Sequence, residues 1–210
     1  WDVSFQVAAK VADFASDVLI KGHHLTAPLL TVDATPKGLS ISGKGLIGKV
    51  PFDGRFVQDL PETAPTPQEQ ALQDGLTGGI YILPAPRPVP PAQVAGQVTL
   101  SQAAVAEFSL GLPQSMVSGA AQADVTLDLP KGSAPFLKLR SDLGGMTLAL
   151  PELGWAKPAN EAGRLEADVR LGSAPEVTRL DLSGAGLTAN GRVLLHPDGH
   201  AVLLDFGLSC

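Results

Sequence analysis

The segment Gly43-Lys44-Gly45-Leu46-Ile47-Gly48-Lys49 has the glycine and lysine spacing of a phosphate-binding loop. It fits the dinucleotide-binding fingerprint and most of a P-loop. A P-loop, however, needs Ser or Thr after its lysine to hold magnesium, and Val50 stands there. Both motifs also need a helix that begins at this point, so that its amides meet the phosphates, whereas Pro51 and Asp53-Gly54 follow. The context therefore predicts a glycine-rich β-hairpin and no nucleotide site.

The four histidines are the next candidates for chemistry. His23 and His24 are adjacent, and His196 and His200 flank the turn Pro197-Asp198-Gly199. Zinc sites need further Cys, His, Asp or Glu ligands at usual spacings, and no such cluster completes either pair. We therefore interpret these histidines as turn and strand residues, and we predict no metal site.

Residues for covalent catalysis lack the usual context. No Gly-x-Ser-x-Gly elbow is present, and Ser183-Gly184-Ala185-Gly186 has no base that the sequence places beside it. Most Asp and Glu residues fall on polar strand faces or in turns, where solvated charge is the expected role. Two carboxylates that meet only in the folded chain stay open as an alternative. We predict no catalytic residue, no cofactor and no enzymatic activity.

Trp155 lies where a strand ends in a turn flanked by prolines. Its ring is predicted to pack over a sheet edge. The alternative role is an amphipathic gate or an anchor at a membrane interface, because tryptophan has an apolar body and one polar N–H group.

The composition favours an aliphatic surface and excludes some partners. Of the 210 residues, 44% are hydrophobic but only 5% are aromatic. An aliphatic surface suits flexible hydrocarbon. The net charge is −6 and the 15 Lys and Arg residues are scattered, unlike the clustered basic footprint of a nucleic-acid-binding protein. We therefore expect no nucleic-acid partner.

The ends of the chain predict a fragment of a larger protein. It begins at Trp1 and ends at Cys210, its single cysteine, so it has no internal disulfide or thiolate zinc site. No run approaches the ~18 apolar residues of a membrane helix, and no signal segment is present. We expect any anchor or export signal to lie outside this piece.

Alternation with a period of two dominates the chain and predicts β-strands. Turn signals such as Pro36-Lys37-Gly38 and Pro130-Lys131-Gly132 separate the strands and leave little room for crossover helices. The sequence therefore predicts an all-β chain, a curved antiparallel meander sheet shaped like a groove, with two short helices. The apolar positions expected on one face of this sheet are Val125, Leu127, Leu129, Leu165, Val169, Leu171, Leu187, Val193, Val202, Leu204 and Phe206.

Capping signals predict the two helices. Thr66, followed by Pro67 and Glu69, predicts one helix that ends before Gly75. Ser101 predicts a second helix over residues 102–108. The Pro-rich segment 84–91 cannot be a central strand, and it divides the chain into residues 1–92, a β-groove segment with a Pro-rich linker, and residues 93–210, a second β-groove segment. One continuous sheet interrupted by a crossover is an equal alternative.

The second half of the chain carries a series of motifs in a fixed order. Residues 127–135 read LDLPKGSAP, 139–158 read LRSDLGGMTLALPELGWAKP, 161–172 read EAGRLEADVRLG, and 182–199 read LSGAGLTANGRVLLHPDG. This series resembles the C-terminal region of AsmA-like proteins of the YhdP type from Gram-negative bacteria. The resemblance covers roughly residues 93–210, and its most specific part is the segment that ends in Gly154-Trp155-Ala156-Lys157-Pro158.

The resemblance implies a repeating β-groove protein that transfers lipid as a bridge. Such a protein is periplasmic and is anchored in the inner membrane, here by a segment outside this chain. The implied ligand is phospholipid, which moves between the inner and outer membranes with its acyl chains on the inward aliphatic face. Outer-membrane or envelope proteins are the further partners implied. The family has no catalytic residues to carry over.

Two alternatives stay open at the level of sequence. The first is a structural module, a closed β-sandwich or barrel whose apolar faces meet each other and leave no groove. The second is a lipid or glycan hydrolase. Periodicity does not separate an open groove from a closed core, because both need strands with one apolar face.

Overall fold

The computed structural model describes residues 5–20, 22–60, 90–108, 113–172, 175–195 and 201–209. Within these ranges the chain forms thirteen strands, one short helix and two 3-10 turns. The strands are β1 (Val7–Ile20), β2 (His23–Thr35), β3 (Gly38–Ile47), β4 (Val50–Asp59), β5 (Ala92–Ser101), β6 (Val117–Leu129), β7 (Phe136–Ser141), β8 (Met146–Leu150), β9 (Trp155–Lys157), β10 (Arg164–Arg170), β11 (Glu176–Gly184), β12 (Leu187–Leu195) and β13 (Ala201–Ser209). Helix α1 is Gln102–Glu107, and the 3-10 turns are Gln114–Met116 and Pro151–Leu153.

Eleven strands form one antiparallel path in the order β1-β2-β3-β4-β5-β6-β7-β10-β11-β12-β13. The sheet is curved and does not close, because β1 and β13 stand at opposite ends of the path. Strands β8 and β9 form a branch. β8 pairs with the beginning of β6, at 117–119, whereas β7 pairs with residues 124–128 of β6. The prediction of an all-β antiparallel meander is confirmed.

The two long edges of this sheet differ. Consecutive strands run in opposite directions, so their connections alternate between the edges. The turns at 36–37 and 130–135 lie along one edge. The turns β1–β2, β3–β4 and β11–β12 lie along the other edge. This second edge, which we call the covered lip, also carries two longer connections. One is residues 102–116, which include α1, and the other is residues 142–163, which include β8 and β9 and which we call the β8–β9 connection.

The glycine-rich segment 43–49 forms the end of β3 and the turn into β4. Gly48 stands in this turn with a φ of +57°, a backbone conformation that glycine adopts without steric cost. The prediction of a hairpin is confirmed, since no helix follows the glycines.

The sheet is continuous across the Pro-rich segment. Residues 52–57 of β4 pair with residues 93–98 of β5, so the first and second halves of the chain share one sheet. Helix α1 confirms the predicted helix after Ser101, although the Ser101 side chain makes no capping hydrogen bond. The helix predicted from Thr66 lies outside the described residues, as does most of the segment 84–91.

The core is small and lies beside the covered lip. Thirteen hydrophobic residues are buried in the described part of the chain, and six of them are alanines. All except Ala92 and Val193 lie in the covering connections or on the strand sections next to them. The central cluster joins Val105 of α1 to Leu143 and Met146 of the β8–β9 connection and to Val117 and Ala121 of β6.

Candidate functional site: the inner face of the sheet

One row of register partners crosses all eleven strands of the path, and every member is apolar. We call it the central row, and the face that carries it the inner face. Paired residues of an antiparallel sheet stand on the same face, and the row runs across the strands, so it forms an apolar strip along the length of the sheet. The row consists of Ala9, Val32, Ile41, Phe56, Val94, Leu127, Leu137, Val169, Val177, Val193 and Leu203.

The central row is only partly covered. Its half-buried members are Val32, Ile41, Phe56, Val94, Leu127, Leu137, Val169 and Val177. Ala9 at the beginning of the row is exposed, whereas Val193 is buried. In a closed sandwich or barrel the inward residues of both layers interdigitate and are removed from water. The inner face therefore leaves apolar side chains within reach of a ligand.

The opposite, outer face carries a row of polar residues. The register partners in this row are Lys44, Asp53, Gln97, Asp124, Arg140, Glu166, Asp181 and Asn190. Several neighbours bind one another, as Lys44 and Asp53 do across 3.1 Å and Gln97 and Asp124 across 3.0 Å. The contrast between the two rows identifies the outer face as the one that contacts water.

Glu166 is the most connected residue of the outer face. Its carboxylate accepts a hydrogen bond from Arg164 at 2.7 Å and lies 3.8 Å from Arg140 and 3.3 Å from Arg179. The hydrogen bond from Arg164 is the main cause that lowers the pKa of Glu166, and the charges of the three arginines act in the same direction. Glu166 is therefore held ionised.

A concavity of about 510 Å³ lies on the outer face near the point where the sheet branches. Asp124, Asp142 and Glu166 are among its lining residues. Each of the three carboxylates has a partner, since Asp124 binds Gln97, Asp142 accepts from the Gly144 amide, and Glu166 binds arginines. The arrangement is that of a satisfied polar surface.

The β8–β9 connection is held in place from within by Lys157. This side chain has no exposed area. Its ammonium group donates hydrogen bonds to the carbonyl oxygens of Leu143 at 2.8 Å, Met146 at 2.9 Å and Pro158 at 3.2 Å. Three carbonyl acceptors match the three donors of an ammonium group. The lysine thus closes the loop from 143 to 158 into one compact unit.

The same connection is attached to β11 and to the β11–β12 turn. The stem of Lys157 passes so close to Gly163 and Gly184 that a Cβ atom on either glycine would lie 3.0 Å or 3.4 Å from it. Trp155 Nε1 donates a hydrogen bond to the Ala185 carbonyl at 3.1 Å, in the β11–β12 turn. Trp155 and Lys157, both in the most specific part of the family resemblance, therefore hold a covering segment over the end of the sheet.

Helix α1 covers the neighbouring part of the same lip. Its buried residues are Ala104 and Val105. At its end Glu107 binds His23 Nδ1 at 2.9 Å, and the rings of Phe108 and His23 lie 5.1 Å apart. His23 therefore links the helix to the beginning of β2.

The structure places most of the predicted inner residues on the inner face. Val125, Leu127 and Leu129 are half-buried along β6, and Val169 and Val193 belong to the central row. Leu165 and Leu187 are also on the inner face but are covered: Leu165 packs against the core cluster, and Leu187 is 1% exposed. Leu171 follows β10, and its amide donates a hydrogen bond to the carbonyl oxygen of Pro135.

Strand β13 differs from the prediction. Leu204 is the register partner of Arg192 and therefore stands on the outer face, whereas the backbone of Leu203 pairs with Val193 of the central row. The register between β12 and β13 shifts between Asn190 and Arg192, and Asp205, in the facing part of β13, has a φ of +48°. After this shift the next inner position of β13 is Leu208, the partner of Ala189. Such a bulge adds one residue and reverses the alternation. The side chains of Val202 and Phe206 lie outside the described set.

Several inner residues were not singled out from the sequence. Val32, Ile41, Phe56 and Val94 belong to β2–β5, where glycines and polar residues interrupt the alternation. A usable signal was the alternation of Leu39, Ile41 and Gly43 with serines, which predicts one apolar face in β3.

The histidines bind separate carboxylates. His23 contacts Glu107, and His24 contacts Asp17. No group of His, Cys, Asp and Glu suited to a metal ion occurs among the described residues, and His196 and His200 lie outside them. No helix in the described ranges is long and apolar enough to cross a bilayer.

Comparison with known proteins gives no match: no family model, no curated protein and no solved structure is similar to this chain. The resemblance to AsmA-like proteins rests on the motifs of residues 93–210 and stays a prediction.

Proposed function

We propose that this chain is a lipid-holding segment of a periplasmic, bridge-like protein, which binds phospholipid acyl chains on its inner face while they pass between the inner and outer membranes. The observation that carries this proposal is the central row, an unbroken apolar strip through eleven strands that is left partly exposed. The anchor in the inner membrane and the partners in the envelope follow from the resemblance to AsmA-like proteins.

The chemistry of the two faces supports hydrocarbon as the ligand. Burial of apolar surface contributes about 25 cal/mol per Å², or about 0.8 kcal/mol for each methylene group. An acyl chain on the central row gains this free energy without leaving a charged group unpaired, because every charged member of the rows described above is on the outer face. The head group stays in water, which avoids the cost of burying a charge.

The row also supports movement along the sheet. Its half-buried members are seven aliphatic residues and Phe56, at the spacing of neighbouring strands, about 4.8 Å. An acyl chain that advances by one strand therefore exchanges one apolar contact for a similar one. The free energy changes little between positions, so the direction of transport must come from outside this segment.

The unclosed sheet argues against a closed structural module. A barrel would need β1 to pair with β13, and a sandwich would need a second sheet over the central row. In the described residues β1 and β13 stand at opposite ends of the path, and the covering segments lie along one lip only.

The proposal is tested by lipid binding in detergent-free buffer. The purified chain is mixed with vesicles of phosphatidylethanolamine and phosphatidylglycerol that contain a fluorescent phospholipid, and the lipid it extracts is measured. Leu127→Glu places a carboxylate in the central row, and its matched control Thr126→Glu places one on the outer face of the same strand. A carboxylate against hydrocarbon costs more than the 1.4 kcal/mol that equals a tenfold change, so we expect Leu127→Glu to weaken extraction about tenfold or more. Equal extraction by both variants would refute the proposal.

A further inference from the structure

The chain has two asparagines, and only one of them precedes a glycine. Asn160 is followed by Glu161, whereas Asn190 is followed by Gly191 in strand β12. The side-chain amide of an asparagine is open to attack by the backbone nitrogen of the next residue. A glycine in that place puts no side chain in the path of the nitrogen and gives the backbone its widest range of conformations. The Asn190–Gly191 bond is therefore the more reactive of the two by its covalent structure.

The sheet is irregular on both sides of this bond. Toward β11, residues 178 and 179 stand opposite Arg192 alone, because the register shifts there. Toward β13, residues 205 and 206 stand opposite Gly191 alone, for the same reason. An extra residue of this kind stays unpaired and disrupts the ladder around it. The backbone that follows Asn190 is thus not held by a regular ladder on either edge of β12.

The Asn190 side chain is exposed on the outer face. Its amide lies over Gly207 of β13, since a Cβ atom added to Gly207 would lie 2.6 Å from Asn190 Oδ1. No hydrogen bond joins this amide to another residue that the structure describes. Water reaches the amide, and no side-chain contact of the described residues restrains its rotation.

The Asp53–Gly54 bond, the other described pair with an acidic or amide side chain before glycine in a strand, shows the contrast. The partners of Asp53 and Gly54 follow one another without a shift in both neighbouring strands. Lys44 also binds the Asp53 carboxylate at 3.1 Å. A regular ladder keeps the backbone extended, with each side chain directed away from the next peptide nitrogen. The fold therefore restrains Asp53–Gly54 and leaves Asn190–Gly191 less restrained.

We propose that Asn190–Gly191 is a site of spontaneous deamidation in the folded protein. The Gly191 nitrogen forms a bond to Asn190 Cγ, and the side-chain amide group leaves as ammonia, together with the proton of the attacking nitrogen. One water molecule then opens the resulting succinimide ring and gives either aspartate or isoaspartate at position 190.

The product changes the pairing of β12 with both of its neighbours. Asn190 stands directly opposite Asp181 of β11, and like charges at opposite positions destabilise a sheet. Isoaspartate also adds a methylene group to the backbone, which disturbs the register toward β13. The next inner pair in that direction is Val193 and Leu203 of the central row. We therefore expect deamidation to loosen the end of the sheet that β12 and β13 form.

The test is peptide mapping by mass spectrometry of the full chain after incubation in mildly alkaline buffer at body temperature. The gain in peptide mass reports deamidation, and the fragmentation pattern identifies isoaspartate. We expect the peptide with Asn190 to deamidate at least about tenfold faster than the peptide with Asn160, because only Asn190 has a glycine beside it. Asn190→Gln is the matched control, since its longer side chain forms a ring far less readily, and its peptide should stay unmodified.

A parallel incubation in guanidinium chloride separates the effect of the fold from that of the sequence. We expect the folded chain to deamidate at Asn190 within about tenfold of the rate of the unfolded chain, because the bulges disrupt the ladder there. Equal rates at Asn190 and Asn160 would overturn the proposal. So would an Asn190 that reacts in the unfolded chain and stays intact in the folded one.

The effect on the sheet is tested separately by urea denaturation. Asn190→Asp should unfold at a lower urea concentration than Asn190→Gln, because it places a second carboxylate opposite Asp181. The double variant Asn190→Asp, Asp181→Asn exchanges the two residues and should recover part of this loss. Equal midpoints of Asn190→Asp and Asn190→Gln would overturn the expected loosening of β12 and β13.

Discussion

Replacing Lys157 by methionine tests whether the covering segment depends on a buried ammonium group. Lys157→Met keeps most of the unbranched apolar stem that lies against Gly163 and Gly184, and it removes the three hydrogen bonds to backbone carbonyls. The Leu143 and Pro158 carbonyls keep second donors, the amides of Met146 and Glu161, each at 3.3 Å, so the loss falls mainly on the Met146 carbonyl. A buried acceptor left without a partner costs about 1–3 kcal/mol. We therefore expect the free energy of unfolding to fall by about 1–3 kcal/mol.

Urea denaturation measures this change, and thermal unfolding supports it, since each kcal/mol shifts the melting temperature of a chain of this size by about 2–4 °C. The matched control is Lys44→Met, because the Lys44 side chain is 80% exposed and its ion pair is on the surface. We expect the control to change stability by less than about 1 kcal/mol. Equal stability of Lys157→Met and the wild type would refute the role assigned to the ammonium group.

Two further predictions concern the outer face and the glycines. The pKa of Glu166 is lowered below its ordinary value of 4.5, so its contribution to stability is present above that pH and is lost as the pH falls through the folded-state value. The difference in unfolding free energy between the wild type and Glu166→Gln should therefore shrink as urea denaturation is repeated from neutral pH to below 4.5; a constant difference would contradict this. Gly96→Ala should disrupt β5, since its Cβ atom would lie 2.1 Å from the Asp53 carbonyl oxygen, whereas Gly54→Ala meets its nearest atoms at 3.7 Å. Circular dichroism and thermal unfolding compare the two, and equal stability would show that the strands do not approach so closely.

Much of the fold follows from the sequence, because alternation in strands such as β6, β10 and β12 is regular. In these strands the residues expected on one face, among them Leu127, Val169 and Val193, do share the central row. The antiparallel meander follows from turn signals at short spacing.

The remainder depends on register and on contacts between distant segments. A bulge near Asp205 reverses the faces of β13, and no local pattern marks such an extra residue. The burial of Leu187 and the packing of Leu165 result from the covering segments, whose position over the sheet is set only in the folded chain. Lys157 is a further example, since a lysine is almost never fully buried unless its charge is paired, and its carbonyl partners are defined only by the folded loop.

The most direct test of the central claim is native mass spectrometry of the chain after expression in bacteria and purification without detergent. The account predicts that the wild type carries adducts with the masses of phospholipids and that Leu127→Glu loses most of them, while Thr126→Glu retains them. A wild-type chain that is found only at its own mass, and gains no adduct after incubation with phospholipid vesicles, would contradict the claim that hydrocarbon occupies the inner face.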